Sequence, residues 1–435
     1  MKIPTYIINL KHRSDRYKNI LNEFEGKSEF DVTIVNAVED LVGSFGLWKS
    51  FCHIIKIAKE KNHKYILICE DDHMFTEEYQ IDKFNDQLKI AASREADVFS
   101  GGISWFDCSL RLDNNIYWVN RFTGTQFQII FDSLYDKILS YDFVPNFHTI
   151  DHVISELSDK VFVSVPMISV QLDTGYSDVT KENNAKGIVK KLFDNVQVRL
   201  KALAKIQDHI LSTRFFNQDI NYDDLKVSTF IINLADREDR LKHIKEQFID
   251  KDEFELEILT VQRESNGALG LWNNIQKIVA LAKDNDEDVI IICEDDHAFS
   301  SLYTKEILFN AIYQGASLGA DLILGGISST RQSIIVSPEL CWIDSFQCTQ
   351  FTIIFKNIFD LILTESFNET DAADLKLSMM TTNKYVIHPF ISKQKDFGYS
   401  DIPIDGINTA QYHEWFTNCE KEISKIRSFY KLLLN

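Results

Sequence analysis

One order of motifs runs through this chain twice, and that repetition limits the architecture more than any other feature. Tyr6-Ile7-Ile8-Asn9-Leu10 returns as Phe230-Ile231-Ile232-Asn233-Leu234, and Gly46-Leu47-Trp48 as Gly270-Leu271-Trp272. Gly101-Gly102-Ile103-Ser104 returns as Gly325-Gly326-Ile327-Ser328, and Thr125-Gln126-Phe127 as Thr349-Gln350-Phe351. All keep a lag of 224 residues, which slips to 223 where Gly175-Tyr176-Ser177-Asp178 meets Gly398-Tyr399-Ser400-Asp401. Stacked solenoid repeats are about 20–50 residues long, so a period of this size marks whole domains. The expected organisation is a first domain over 1–206, a polar connector over 207–226 and a second domain over 227–435.

Each copy centres on an apolar run that ends in three acids. Tyr65-Ile66-Leu67-Ile68-Cys69 runs into Glu70-Asp71-Asp72-His73, and Val289-Ile290-Ile291-Ile292-Cys293 into Glu294-Asp295-Asp296-His297. A short continuous apolar run reads as a strand buried on both faces. Acids at its C-terminal end lie where open α/β sheets place their ligands. Three adjacent carboxylates repel one another unless a cation is shared among them. Acidic turn chemistry alone accounts for one such cluster, but less readily for two in matched surroundings. Glu70, Asp72, Glu294 and Asp296 are therefore candidate ligands of Mn²⁺ or Mg²⁺, hard cations that favour carboxylate oxygen.

The first strand of each copy leads to a turn rich in arginine, Lys11 to Arg16 and Ala235 to Arg240, and then to an amphipathic helix. Strand, polar turn and helix open a nucleotide-binding α/β unit. Asn9, Arg13 and Arg16, with Asn233, Arg237 and Arg240, are candidate phosphate or base contacts, since a guanidinium fork matches phosphate oxygens. Helix capping and local pairing with Asp15 is the competing reading of that turn. A second helix is expected to start at Gly46 and Gly270, with Trp48 and Trp272 in the core. The glycine pairs Gly101-Gly102 and Gly325-Gly326 permit either a close backbone approach to a ligand or a tight turn. The last shared block carries Gln171 and Asp178 in one copy, Gln394 and Asp401 in the other. Dense polar identity between otherwise diverged copies points to a site rather than to packing.

The formal charge of −19 weighs against non-specific affinity for nucleic acid or anionic lipid. Seven cysteines with no CxxC pair suggest neither a disulfide framework nor a zinc cluster. No apolar run approaches a membrane span and the N-terminal residues lack a signal-peptide layout, so a cytoplasmic protein is expected. The stretch from Glu420 to Leu434 reads as an amphipathic helix that packs on the second domain or touches a membrane peripherally.

Taken together, Asn9-Leu10, Arg13-x-Asp15-Arg16, Gly46 and Glu70-Asp71-Asp72 resemble family 25 glycosyltransferases, which include bacterial lipooligosaccharide and collagen galactosyltransferases. The Gln-x-Asp-x-Gly-Tyr-Ser-Asp block is similar to the C-terminal segment of bacterial members. The resemblance implies two tandem GT-A-like, Rossmann-like α/β domains that use a nucleotide-sugar donor, commonly a UDP-sugar, and a divalent metal. It implies a glycan or lipid-linked acceptor and a role in surface polysaccharide synthesis, with galactose as one candidate sugar. Asp71 and Asp295 then join the donor-binding set, and the acid triplets fill the place of the family's DxD motif. Many members have adjacent Ser and His in the helix after the glycine, whereas here Ser50 and His53 are separated and the second copy has Asn274 and Lys277.

An inverting transfer needs a carboxylate to deprotonate the acceptor hydroxyl. Asp151 and Asp374 are candidates, with helix capping as the alternative, and Asp178 and Asp401 are candidates for the metal shell or the acceptor. His73 and His297 are expected behind the ligands or in solvent. Two other functional classes compete: a sugar- or nucleotide-binding protein with one or both copies inactive, and a metal-dependent nucleotidyltransferase or phosphohydrolase. The lack of a Gly-rich loop with lysine lowers the last.

Overall fold

Apolar runs too short for helices become the inner strands of two eight-stranded mixed sheets, one in each half of the chain. This computed structural model describes residues 2–173, 186–213, 222–398 and 410–434. It divides into two units, Met1–Gln207 and Asp208–Asn435.

In the first unit the sheet order is Phe30–Asn36, Ile3–Asn9, Tyr65–Glu70, Phe127–Phe131, Val98–Ser100, Val161–Ser164, Ile116–Val119 and Ser109–Arg111. The opening strand Ile3–Asn9 lies parallel to both of its neighbours. Phe127–Phe131 runs antiparallel between Tyr65–Glu70 and Val98–Ser100. The sheet is therefore mixed, of the Rossmann-like α/β kind. Its central strands are apolar on both faces because helices cover them, among them Gly43–Glu60 and Ile81–Ser93. The edge strand Phe30–Asn36 alternates buried and more exposed residues, as a half-solvated strand should.

In the second unit the order is Phe254–Val261, Val227–Leu234, Val289–Glu294, Phe351–Phe355, Leu322–Leu324, Lys384–Ile387, Leu340–Ile343 and Ser333–Ile335. Position by position, this is the same order as in the first unit.

Register places the site. The opening and acid strands are parallel neighbours, with Ile8 beside Glu70 and Ile232 beside Glu294. Both strands of each pair therefore end on one sheet edge, which brings the Asn-containing turn against the acids. A two-stranded ribbon finishes that edge. His73–Phe75 pairs antiparallel with Ser169–Gln171, and His297–Phe299 with Ser392–Gln394.

Three boundaries differ from the sequence expectation. The helices expected to open at Gly46 and Gly270 begin one turn earlier, at Gly43 and Gly267. Gly46 is instead needed inside the helix, because a Cβ there would stand 2.5 Å from the Val38 carbonyl oxygen. The helix Ile188–Ser212 runs past the expected start of the connector. Its Gln207 is buried and donates from Nε2 to the Arg111 carbonyl at 3.3 Å. The last helix, Ala410–Leu434, is longer than expected and buries Phe416, Ile423 and Ile426. Arg427 on it donates to the Ser337 carbonyl at 2.8 Å and to His388 Nδ1 at 3.1 Å. Packing, the first of the two readings of this segment, is what the described residues show. No described helix is long and apolar enough to cross a membrane.

Candidate functional site

The middle acid of each triplet is the anchor of its turn. In the first unit Asn9 Nδ2 donates to Asp71 Oδ2 at 2.8 Å, and Arg16 Nη1 to Asp71 Oδ1 at 2.9 Å. In the second, Asn233 donates to Asp295 Oδ2 at 3.0 Å and Arg240 to Asp295 Oδ1 at 2.9 Å. All six residues are buried. A buried carboxylate is stable only when paired and hydrogen-bonded, so the spacing of the asparagine and second arginine has a structural cause. Asn9, Arg16 and Asp71, and Asn233, Arg240 and Asp295, are thus engaged with one another, and Arg240 and Asp295 also line the cavity of the second unit. Asp15 pairs locally, but with Arg13, which forks onto it at 3.2 and 3.3 Å, and not with Arg16, the partner of the local reading.

With the middle acid turned inward, the outer two form the rim. Glu70 accepts from Thr125 Oγ1 at 2.5 Å, and Glu294 from Thr349 Oγ1 at 2.7 Å. Burial first, and then the charge of Asp72 or Asp296, pushes each glutamate up to about 8. Burial likewise raises Asp72 to about 6 against the nearby Arg16, and raises Asp296 against Arg240. Asp72 Oδ2 lies 3.5 Å from Arg16 Nη1. Asp296 Oδ2 accepts from Arg240 at 3.1 Å and from Gln394 Nε2 at 2.9 Å. The other oxygens, Asp72 Oδ1 and Asp296 Oδ1, are buried without a hydrogen-bond partner.

Among the described residues no group of three or more His, Cys, Asp or Glu side chains is disposed to hold a metal. Each unit offers two carboxylates, mutually repelling, one with an orphaned oxygen. That donor set fits a hard divalent cation that completes its shell with ligand oxygens, as Mg²⁺ commonly does on one or two carboxylates plus phosphates.

His73 and His297 lie behind the rim and are not solvated. Nδ1 of each is 2.8 Å from the hydroxyl of Ser169 or Ser392, and burial lowers both to about 3. They are neutral rings packed edge-on to Phe75 and Phe299.

The glycine pairs approach protein, not ligand. A Cβ on Gly102 would lie 2.0 Å from the Ser169 carbonyl oxygen, and one on Gly101 2.7 Å from the Phe127 ring. Gly326 and Gly325 meet Ser392 at 2.2 Å and Phe351 at 2.7 Å in the same way. The missing Cβ at these four positions lets the ribbon strand cross the sheet edge.

In the second unit the rim opens on a cavity of about 840 Å³. Glu294, Asp296, Arg237, Gln394 and Asp374 line it, and Asn274 and Phe397 form further parts of the wall. Asp374 and Asp151 sit in the first turns of their helices, near enough to add to the upward push on Glu294 and Glu70. Asp374 Oδ2 accepts from Cys348 N at 3.0 Å, and Asp151 Oδ2 from Gly124 N at 3.2 Å. Gln171 occupies the ribbon position beside His73, as Gln394 does beside His297. Asp178 and Asp401 lie outside the described residues.

Two features of the site were not assigned from sequence. The Thr125 and Thr349 hydroxyls hold the rim glutamates; their signal was the repeated Thr-Gln-Phe, which carries no chemistry until the strands are paired. His243 and Lys395 meet beside Asp296, with Nζ 3.2 Å from His243 Nδ1. A search for identities between copies passes over them, because they differ from their counterparts.

No protein-family profile matches the chain, and no curated protein matches it. Among solved structures it is similar to a protein from STIV, at 12% identity and TM-score 0.27, over 42% of this chain and 100% of that one. It is similar to apo UDP-glucose pyrophosphorylase at 7% identity and TM-score 0.26, over 37% of this chain and 72% of that one. A third is a glycosyltransferase involved in the glycosylation of the major capsid of PBCV-1, at 11% identity and TM-score 0.22, over 38% and 94%. Likeness at these scores carries no functional argument, and the α/β assignment rests on the two sheets themselves.

Proposed function

We propose that the chain is a metal-assisted glycosyltransferase with one site in each unit. It moves a sugar from a nucleotide-linked donor, UDP-linked by preference, to a glycan or lipid-linked acceptor in surface polysaccharide synthesis. The observation that carries this reading is the rim of each sheet. Two carboxylates, half-buried apart from the buried Asp296, stand there with raised proton affinity and an orphaned oxygen, and in the second unit they border a cavity within the usual size of ligand sites. Such an arrangement costs folding free energy and persists where ligand binding repays it.

Glu70 with Asp72, and Glu294 with Asp296, would hold a Mn²⁺ or Mg²⁺ ion, which supplies Lewis-acid stabilisation of the departing diphosphate. The chain's own groups do the rest. Arg237 lines the same cavity and presents cationic N–H donors to phosphate oxygens. The buried Asn–Arg–Asp set keeps the rim strand in place. Asp374, and Asp151 in the first unit, are the proposed bases that take the proton of the attacking acceptor hydroxyl. Asp178 and Asp401 are proposed to complete the acceptor side.

The deciding experiment substitutes Asp72→Asn and Asp296→Asn separately, then follows transfer from a labelled UDP-sugar by mass spectrometry of the acceptor. Each substitution is expected to abolish transfer by its own unit. Full transfer in both variants, or release of free phosphate with no glycosylated product, refutes the reading.

A further inference from the structure

The two ribbons hold one backbone position in one place but with different chemistry. Leu172 N donates to the Asp72 carbonyl at 2.6 Å, and Lys395 N donates to the Asp296 carbonyl at 2.8 Å. The same station beside the outer aspartate thus carries an apolar side chain in the first unit and an ammonium in the second. The position beneath it changes in concert, from Asn19 to His243.

His243 is buried, and its Nε2 lies 2.9 Å from the His297 carbonyl oxygen. A carbonyl only accepts, so Nε2 carries the proton, and a neutral ring then turns the Nδ1 lone pair toward Lys395. Nζ donates to it at 3.2 Å and also lies 4.8 Å from the centre of the Phe397 ring. The opposite tendency would be for a lysine to seek a carboxylate. Neighbouring cations do so: Lys393 pairs with Glu420 at 3.5 Å, and Arg263 forks onto Asp236. No described carboxylate pairs with Lys395. Lys395 is exposed to solvent on the cavity wall, and neutral groups hold its ammonium in position there. A tethered ammonium of this kind is a receptor for an anion.

We infer that Lys395 is a specificity-determining residue of the second unit, recognising an anionic group, carboxylate or phosphate, that the ligand carries in addition to its diphosphate. Leu172 gives the first unit no such ammonium at that station. The inference rests on the reading of this cavity as a nucleotide-sugar site. His243 is a positioning residue that aims the ammonium and does not touch the ligand.

The test is isothermal titration of the full chain with Mn²⁺ present, comparing the native protein with Lys395→Met, Lys395→Arg and His243→Asn. The probes are UDP, UDP-glucose, UDP-glucuronate, and glucose 6-phosphate added to UDP-saturated protein. A charge-assisted contact of ordinary strength predicts that Lys395→Met weakens the anionic probe about ten- to a hundredfold. Lys395→Arg should keep most of the affinity, His243→Asn should lose part, and UDP-glucose should stay within about twofold. Selective loss of UDP-glucuronate places the anion on the transferred sugar, and selective loss of glucose 6-phosphate places it on the acceptor. If all probes weaken together, Lys395 serves the shared diphosphate or the fold, and the inference is overturned. It is equally overturned if none changes. If native protein binds no UDP compound at all, the glycosyltransferase reading falls and takes the inference with it, a result distinct from intact UDP binding without selectivity.

Discussion

Arg240 offers the sharpest test of how the rim is held. It is 5% exposed and donates to Asp295 at 2.9 Å and to Asp296 at 3.1 Å. Arg240→Met keeps most of the apolar stem and removes the guanidinium, leaving two buried carboxylates facing each other. Removing one partner of a buried ion pair costs about 3–5 kcal/mol, mainly through the stranded charge. For a unit of this size each kcal/mol is about 2–4 °C in melting temperature, so its transition should fall by about 6–20 °C. Arg16→Met should cost the first unit less, since Arg16 stands 3.5 Å from Asp72 where Arg240 stands 3.1 Å from Asp296. Urea unfolding at pH 8, with the double variant Arg240→Met/Asp295→Asn, completes the cycle. Removing the stranded charge should recover more than half of the loss. A loss under about 1 kcal/mol, or losses that simply add in the double variant, would refute the stranded-charge account.

Three further outcomes follow from the same geometry. Glu294 rises from 4.5 to about 8 on folding, so between those values the folded chain holds a proton that the unfolded chain has released. Stability therefore falls as pH rises through that window, by up to about 1.4 kcal/mol per pH unit; Glu294→Gln should flatten the thermal-denaturation profile from pH 5 to 8 without divalent cation, and parallel profiles would contradict this. Gly326→Ala places a methyl 2.2 Å from the Ser392 carbonyl oxygen. It should destabilise by about 1–3 kcal/mol and weaken donor binding although no cavity-lining side chain is altered; native affinity by titration would show the ribbon to be dispensable. Asp374→Asn should slow transfer about 10²–10⁴-fold with donor affinity retained, and a parallel loss of affinity would reassign Asp374 to binding.

Much of the fold was legible because it depends on local apolar patterning. The runs Tyr6 to Ile8, Ile66 to Cys69 and Val98 to Phe99 announce buried strands, and all lie in the sheet. The site was legible as a neighbourhood, since parallel strands that end together bring Asn9 and Glu70 to one edge. Roles within it were not. Asp71 and Asp72 are adjacent in sequence, yet one turns inward to Asn9 and Arg16 while the other keeps an oxygen without a partner. Both lie in the turn between Tyr65–Glu70 and His73–Phe75, and composition cannot show which faces which way. Gly101 and Gly102 show a similar limit: a missing Cβ signals a close approach without telling what approaches. Lys395 and His243 were hidden because repetition draws attention to what stays the same.

The ribbon crossing each sheet edge bears on how such a chain diversifies. Main-chain pairing, with the His297–Ser392 side-chain contact, ties His297–Phe299 to Ser392–Gln394, so side chains just beyond it are free to vary without loosening the acidic rim. On the proposed function, exchanging one outward residue and the one supporting it alters what one unit recognises. The other unit is untouched, because its own strand is left as it was.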